Sequence, residues 1–298
     1  MQRSHHLDSE QVAEVSALAE AVAAADGVAP CSEPVLLALR HGGGADRTHL
    51  LLRRDDGVLC GYAQVWDSGG ATAELAVHPD ARRQGRGRAL AEEVVAVAGG
   101  DVRAWAHGDH PAAAALARRL GFTRARVLFQ LRRPLTDPVP APTLPPGVRL
   151  RTFEPGRDDS AWLALNARAF ADHPEQGRWT EEDLRARMAE PWFDPAGFLL
   201  AERDGALIGF HWTKVHPEDP PLGEVYVLGV DPQAHGHGLG KALTLAGLRH
   251  LRDRGLTTAM LYVDETNTPA VALYHRLGFT RWSTDVMYAR VTPDEQRT

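Results

Sequence analysis

Gln233-Ala234-His235-Gly236-His237-Gly238 decides how this chain is read. The apolar run Val225-Tyr226-Val227-Leu228-Gly229-Val230 precedes it, and a helical pattern from Leu239 to Leu251 follows. A strand ends, a glycine loop turns, and a helix begins. The first turn of a helix carries backbone N–H groups without intrahelical partners, and the helix dipole adds partial positive charge there. Such a junction is a cradle for a pyrophosphate. Gly236 and Gly238 lack the Cβ atoms that would hold a ligand away from the backbone. The same glycines would serve a plain tight turn, so the surroundings must separate the two readings. A second copy, Arg82-Arg83-Gln84-Gly85-Arg86-Gly87, stands about one domain upstream, with Arg82 at the place of Gln233.

Two anchors extend this repeat. Ala76-Val77-His78-Pro79 before the first loop matches Gly229-Val230-Asp231-Pro232 before the second. Arg118-Arg119-Leu120-Gly121-Phe122 matches His275-Arg276-Leu277-Gly278-Phe279 downstream. A lone glycine loop says little. The ordered series of strand, Pro, loop, helix, strand, helix and Leu-Gly-Phe, met twice, says much more. Between the copies, Pro134, Pro138, Pro140, Pro142, Pro145 and Pro146 remove backbone donors and favour extended chain. The expected division is an N-terminal domain over 1–133, a linker over 134–147 and a C-terminal domain over 148–298.

Hydrophobic periodicity predicts the elements. In the first half, helices are expected over 8–25, 32–41, 86–98 and 111–120. Strands are expected over 48–53, 58–66, 71–77, 102–106 and 124–132. In the second, helices are expected over 160–170, 180–190, 239–254 and 268–277. Strands are expected over 148–153, 198–202, 207–215, 223–230, 258–263 and 280–289. Alternating strands and helices with several hairpins make each half α/β with a mixed sheet.

A chain of 298 residues accommodates two domains of roughly 150 residues. The hydrophobic share of 44% and the charged share of 24% are those of a soluble globular protein. A net charge of -6 gives no general attraction to nucleic acid or to an anionic membrane. Cys31 and Cys60 form no disulfide framework, and no apolar leader opens the chain, so a cytoplasmic setting is expected. None of the 14 histidines falls in a ligand array such as HExxH, so no metal is expected.

The glycine loop in this setting resembles the acyl-CoA loop of the GNAT family, the Gcn5-related N-acetyltransferases. The likeness covers both halves. It implies two tandem GNAT domains, each with a mixed, largely antiparallel sheet in which one parallel strand pair splays. It also implies acetyl-CoA as co-substrate, its pantetheine arm lying in the splay like a strand. On this sequence Leu228, Gly229 and Val230 would bond to the arm. His235, Gly236, His237, Gly238, Leu239, Gly240 and Lys241 would wrap the pyrophosphate. Asn267, Thr268, Pro269, Ala270, Val271 and Ala272 would line the other wall. In the first half, Leu75, Ala76 and Val77 with Arg83, Gln84, Gly85, Arg86, Gly87 and Arg88 hold the equivalent positions.

The halves differ where acid–base groups are needed. Aligning Val230 with Val77 sets Glu224 opposite Ala71, and aligning the Leu-Gly-Phe anchors sets Tyr274 opposite Ala117. Transfer of an acetyl group to an amine needs a base for the ammonium proton and an acid for the departing thiolate. Glu224, at the start of the strand bordering the acyl group, is the expected base. Tyr274, on the helix bordering the CoA sulfur, is the expected acid. The first half, lacking both, is expected to be catalytically degenerate.

A narrower resemblance concerns the acceptor. The loop His173-Pro174-Glu175-Gln176-Gly177-Arg178-Trp179-Thr180, the run Trp212-Thr213-Lys214-Val215-His216 and the tandem plan are similar to the mycothiol synthase family. That family acetylates the cysteinyl amine of cysteinyl-glucosaminyl-inositol. The resemblance implies acceptor contacts at Glu33, Glu175, Lys214, Glu224 and Tyr262 and a small-molecule partner; with the short linker and these shared contacts, a monomer is sufficient and expected. Two other readings stay open: a tandem acetyltransferase for an aminoglycoside or a protein N-terminus, and a non-catalytic acyl-CoA sensor. Retention of Glu224 and Tyr274 speaks against the sensor.

Overall fold

The computed structural model describes residues 1–41, 46–67, 69–171, 176–217 and 220–291. The chain divides into two compact units, Met1–Leu128 with Ser283–Thr298, and Phe129–Trp282.

In the first unit the order is β1 (Gln2–Ser4), α1 (Ser9–Asp26), α2 (Glu33–His41), β2 (Arg47–Arg53), β3 (Leu59–Asp67), β4 (Ala71–Val77), α3 (Arg86–Val97), β5 (Val102–Ala106) and α4 (Pro111–Arg119). β6 (Thr123–Pro134) starts here and ends in the second unit. α1 opens on a capping box between Asp8 and Gln11 and stops at Gly27, which takes a left-handed φ of 71°. Its Val15, Leu18 and Val22, at helical spacing, pack on Leu51, Tyr62 and Ala76 of the sheet. The other face packs through Ala63, Ala73, Leu90 and Val94. Coverage on both faces explains why β3 is buried from Leu59 to Trp66. The last strand of this sheet comes from the C-terminus, where Val286–Arg290 pair antiparallel with Ala106–Val102.

The second unit contains β7 (Arg149–Thr152), α5 (Asp159–Ala169), α6 (Glu181–Met188), β8 (Phe198–Arg203), β9 (Ala206–His216), β10 (Leu222–Val230), α7 (Leu239–Asp253), β11 (Thr258–Asp264), α8 (Thr268–Arg276) and the first residues of β12 (Thr280–Arg290). Its strand order is β6-β11-β10-β9-β8-β7. One face packs Val225, Leu261 and Val263 against Leu245, Leu248 and Leu251 of α7 and Tyr274 of α8. The other face is aromatic. Phe153, Phe198 and Trp212 stack at centroid distances of 4.3 and 4.4 Å, and Trp162 meets Phe198, Phe210 and Trp212 edge-on. Offset and edge contacts of this kind add to the area they bury.

The proline-rich stretch 134–147 belongs to the second unit instead of hanging free. Leu135 and Val139 are buried in that unit's core. Leu135 N donates to Thr257 O at 2.8 Å, and Arg249 donates to Val139 O at 3.2 Å. Prolines prevent regular structure there, but the apolar residues between them still gain by burial.

Both units contain the splayed parallel pair. β4 pairs with β5 only over Thr72–Glu74, and β10 with β11 only over Gly223–Val225. Beyond these residues each strand continues along its antiparallel neighbour alone, through Val77 and through Val230. The forks differ in their antiparallel ladders. The β10–β9 register shifts between Val225 and Val227, leaving Tyr226 as a bulge, whereas β4–β3 is regular throughout. A bulge inserts one residue and re-aims the side chains around it.

Candidate active site

The fork between β10 and β11 organises the site. Val225 lies in the core on the α7 and α8 side, so alternation sends Glu224 to the opposite face. Tyr274 comes up from α8 on the Val225 side. A carboxylate and a phenol therefore flank the fork from its two faces.

Glu224 is buried, and its Oε2 lies 2.7 Å from His216 Nε2. Lys214 stands directly across the ladder from Glu224 and is also buried. Its ammonium lies over the rings of Trp192 and Tyr226, at 4.7 and 5.3 Å from their centroids. Ring faces hold a cation there by their negative quadrupole. The Tyr226 hydroxyl in turn accepts from Arg187 Nε at 2.8 Å, and the Arg187 guanidinium sits 3.7 Å over Trp179. The bulge delivers Tyr226 into this cluster. Tyr274 is held against Phe279 in a T-shaped contact, and burial pushes its hydroxyl up to about 12. It stays protonated at every pH at which the protein would work, as a proton donor must.

The glycine loop follows. Pro232–Ala234 make a single 3-10 turn, and Gly238 caps α7 with a φ of 79°. Gly236 has a φ of 85°. A Cβ on either would meet nothing within 4 Å. Backbone conformation thus favours glycine at both positions, and the space before them is open. His235 bonds through Nε2 to Val230 O at 3.1 Å, tying the loop to the strand end. Across the fork, Asn267 caps α8 by accepting from Ala270 N at 3.3 Å. Leu228 to Val230 and the glycine loop thus continue from β10 past the fork, and the first turn of α8 follows β11. These segments offer backbone groups and short side chains suited to an extended arm and a diphosphate.

The other sequence-selected residues fall as follows. Tyr262 on β11 is 42% exposed, shares the Glu224 face by alternation, and accepts from Gln130 Nε2 at 2.7 Å. Glu33 is the first residue of α2, in the first unit. Glu175 lies outside the described residues.

The first unit corrects the alignment used above. Its loop also follows a 3-10 turn, Pro79–Ala81, and Gly85 caps α3 with a φ of 79°. Gly85 therefore corresponds to Gly238, and Arg82 falls on His235, not on Gln233. Arg82 makes the same tether, donating from Nε to Val77 O at 3.1 Å. Arg83 takes a φ of 62° where the second unit uses Gly236. Similarly, the bulge at Tyr226 moves Glu224 by one residue. Counted back from Val230 and Val77 along their antiparallel partners, Glu224 stands opposite Thr72 rather than Ala71. The pairing of Tyr274 with Ala117 holds, since both carbonyls close the same turn onto the Leu and Phe of the anchor.

The first unit does carry a buried carboxylate, at the last residue before its fork. Glu74 accepts from Ser32 N at 2.7 Å, and its other oxygen is 3.6 Å from His107 Nε2. His107 Nδ1 is 3.0 Å from Asp285, which also accepts from Gly108 N at 3.0 Å. Burial alone would depress His107, but the two carboxylates carry it up to about 10. The signal for this array was invisible in the strand pattern, because Asp285 arrives from the far end of the chain.

Comparison with known proteins bears on this geometry. The model of the acetyltransferase (GNAT) family matches residues 162–279, and that of an acetyltransferase (GNAT) domain matches residues 46–124. A mycothiol acetyltransferase of Thermobispora bispora is 64% identical over 280 residues, spanning 93% of this chain and 95% of that protein. One of Salinispora arenicola is 64% identical over 295 residues, spanning 97% and 96%. This chain belongs to the mycothiol acetyltransferase family. The fold agrees: a tandem GNAT protein from the clavulanic acid biosynthesis pathway superposes with a TM-score of 0.74 at 22% identity, over 98% of this chain and 99% of that one. The two units are tandem GNAT domains, and the protein is an N-acetyltransferase.

Proposed function

We propose that the second unit moves the acetyl group of acetyl-CoA onto the cysteinyl amine of cysteinyl-glucosaminyl-inositol, the last step of mycothiol biosynthesis. The observation that carries this reading is the 64% identity to mycothiol acetyltransferases along nearly the whole chain. The fork supports it, with a carboxylate on one face and a protonated phenol on the other. Leu228 to Val230 bind the pantetheine arm, and the loop from His235 to Lys241 binds the pyrophosphate. Leu75 to Val77 and Arg83 to Arg88 offer a like surface in the first unit. Glu33, Glu175, Lys214 and Tyr262 contact the acceptor.

The chemistry follows from the groups present. The acceptor arrives as an ammonium, since an α-amino group has a reference pKa of about 8. Glu224 takes one proton, directly or through water, and the freed nitrogen lone pair attacks the thioester carbonyl. The C–N bond forms as the C–S bond breaks, the sulfur leaves with its electron pair, and the nitrogen sheds its second proton to water as it becomes the amide. Tyr274 donates its proton to that sulfur and regains one from solvent. A phenol pushed up to about 12 is a weaker acid than in water, so it acts on the thiolate as charge develops there. Cys31 and Cys60 are free thiols, which supports a reducing, cytoplasmic setting.

Glu224→Gln tests the role of the base. Turnover should fall by about 10²-fold or more below pH 8, where the amine is protonated, and recover partly above it. An unchanged pH–rate profile in this variant removes Glu224 from the mechanism.

A further inference from the structure

We propose that His216 is a positioning residue for Glu224 in this reaction; the inference rests on reading Glu224 as the base. The first observation is register. β9 and β10 form a regular antiparallel ladder through Leu222↔His216, Gly223↔Val215, Glu224↔Lys214 and Val225↔Thr213, and only then does the bulge begin. His216 is thus the diagonal neighbour of Glu224 on the same face, a spacing that long side chains bridge. The second is contact: Nε2 lies 2.7 Å from Glu224 Oε2. The third is burial. The Glu224 side chain is 8% exposed and that of His216 is 23%. Lys214, the other charged group on this stretch of β9, directs its ammonium onto the Trp192 and Tyr226 rings.

A carboxylate turns easily about its last torsion, which is broad and nearly two-fold. A base that turns presents its lone pairs to the substrate only part of the time. The imidazole N–H donated to Oε2 removes this freedom and leaves Oε1 to meet the amine. Low surrounding polarity strengthens the bond. A base held by a third group is the arrangement that acid–base catalysis repeats on unrelated folds. Because both side chains stand on a regular ladder, the backbone beneath them is fixed.

The test compares His216→Phe, His216→Gln, Glu224→Gln and the double variant His216→Phe/Glu224→Gln in steady-state acetyl transfer to the cysteinyl-glucosaminyl-inositol acceptor. His216→Phe should lower kcat by about tenfold or more while leaving the KM for acetyl-CoA unchanged. Gln carries an N–H near the position of Nε2, so His216→Gln should recover most of the loss. The deficit should shrink at high pH, where the amine needs no base. In the Glu224→Gln background, His216→Phe should cost nothing further. Acetyl-CoA binding by titration calorimetry separates a folded variant from a collapsed one, and the Gln variant decides the matter should Phe not be tolerated. The inference is overturned if Glu224→Gln loses activity while His216→Phe keeps the parental kcat, or if His216→Gln loses as much as Glu224→Gln does. It is also overturned if the two single losses multiply in the double variant. Full activity of Glu224→Gln itself overturns the reading of the base, a distinct result.

Discussion

At the scale of single residues, Glu224 and Tyr274 carry the proposal that the second half works; the first half has Thr72 and Ala117 in their places. Tyr274 and Ala117 close identical turns, so the phenol is an addition to a shared frame. Tyr274→Phe should keep that frame, since the ring packs on Phe279 and only the hydroxyl is lost. We expect kcat to fall by about 10- to 100-fold with little change in melting temperature, and rapid-quench analysis of acetyl transfer checks it. A parental kcat would remove the phenol from the reaction. Glu224 and Tyr274 stand out in the sequence because the repeat supplies an internal control, a second copy with neither residue at the aligned positions. His216 was not, although strand alternation alone puts it on the same face as Lys214. Its role depends on a cross-strand register that one sequence does not state. Glu74 escaped for a like reason: its partners are Ser32, just before α2, and His107, just after β5, and His107 in turn meets Asp285 of the C-terminal strand.

At the scale of elements, the order of strands and helices was readable almost throughout, because period 2 and period 3.6 alternate cleanly and Gly and Pro mark the breaks. The bulge at Tyr226 was not readable. It displaced the comparison of β10 with β4 by one residue, and it feeds Tyr226 to the aromatic cluster that holds Lys214. The loop alignment slipped by two because glycines recur every second residue in both loops, whereas the helix cap fixes the match at Gly85 and Gly238. One glycine has a packing reason. Gly247 on α7 faces the fully buried ring of His211, and a Cβ there would overlap that ring. His211 is pinned by its own bond to Leu243 O at 2.7 Å. Gly247→Ala should therefore destabilise the second unit by about 1–3 kcal/mol, seen as a lowered melting temperature. Its higher helix propensity, worth about 1 kcal/mol, runs the other way and loses. A stabilised variant would mean that the His211 ring moves freely.

At the scale of the whole molecule, the tandem plan was legible from two loops and two anchors, while the extent of each unit was not. The proline-rich stretch looked like a linker on composition, yet the division into units falls at residue 128, and the C-terminal strand returns to the first unit. The His107–Asp285 pair, 3.0 Å apart, fastens that strand. Its contribution has a definite pH window. His107 is raised from 6.5 to about 10 in the folded chain. The stabilisation is full below about pH 6.5 and is lost as pH rises through about 10. Asp285→Asn should cost about 3 kcal/mol near pH 7, and the gap to the parent should narrow towards pH 10 in denaturant titrations. A gap independent of pH would assign the strand's attachment to other contacts.

The central claim concerns the acceptor, and one measurement addresses it directly. Purified protein is incubated with acetyl-CoA and cysteinyl-glucosaminyl-inositol, and the products are read by mass spectrometry with fragmentation. We predict one acetyl group per acceptor, located on the cysteinyl nitrogen, formed catalytically and far more slowly by Glu224→Gln at neutral pH. No acetylated acceptor, alongside robust turnover of an unrelated amine such as an aminoglycoside or a peptide N-terminus, would contradict the claim.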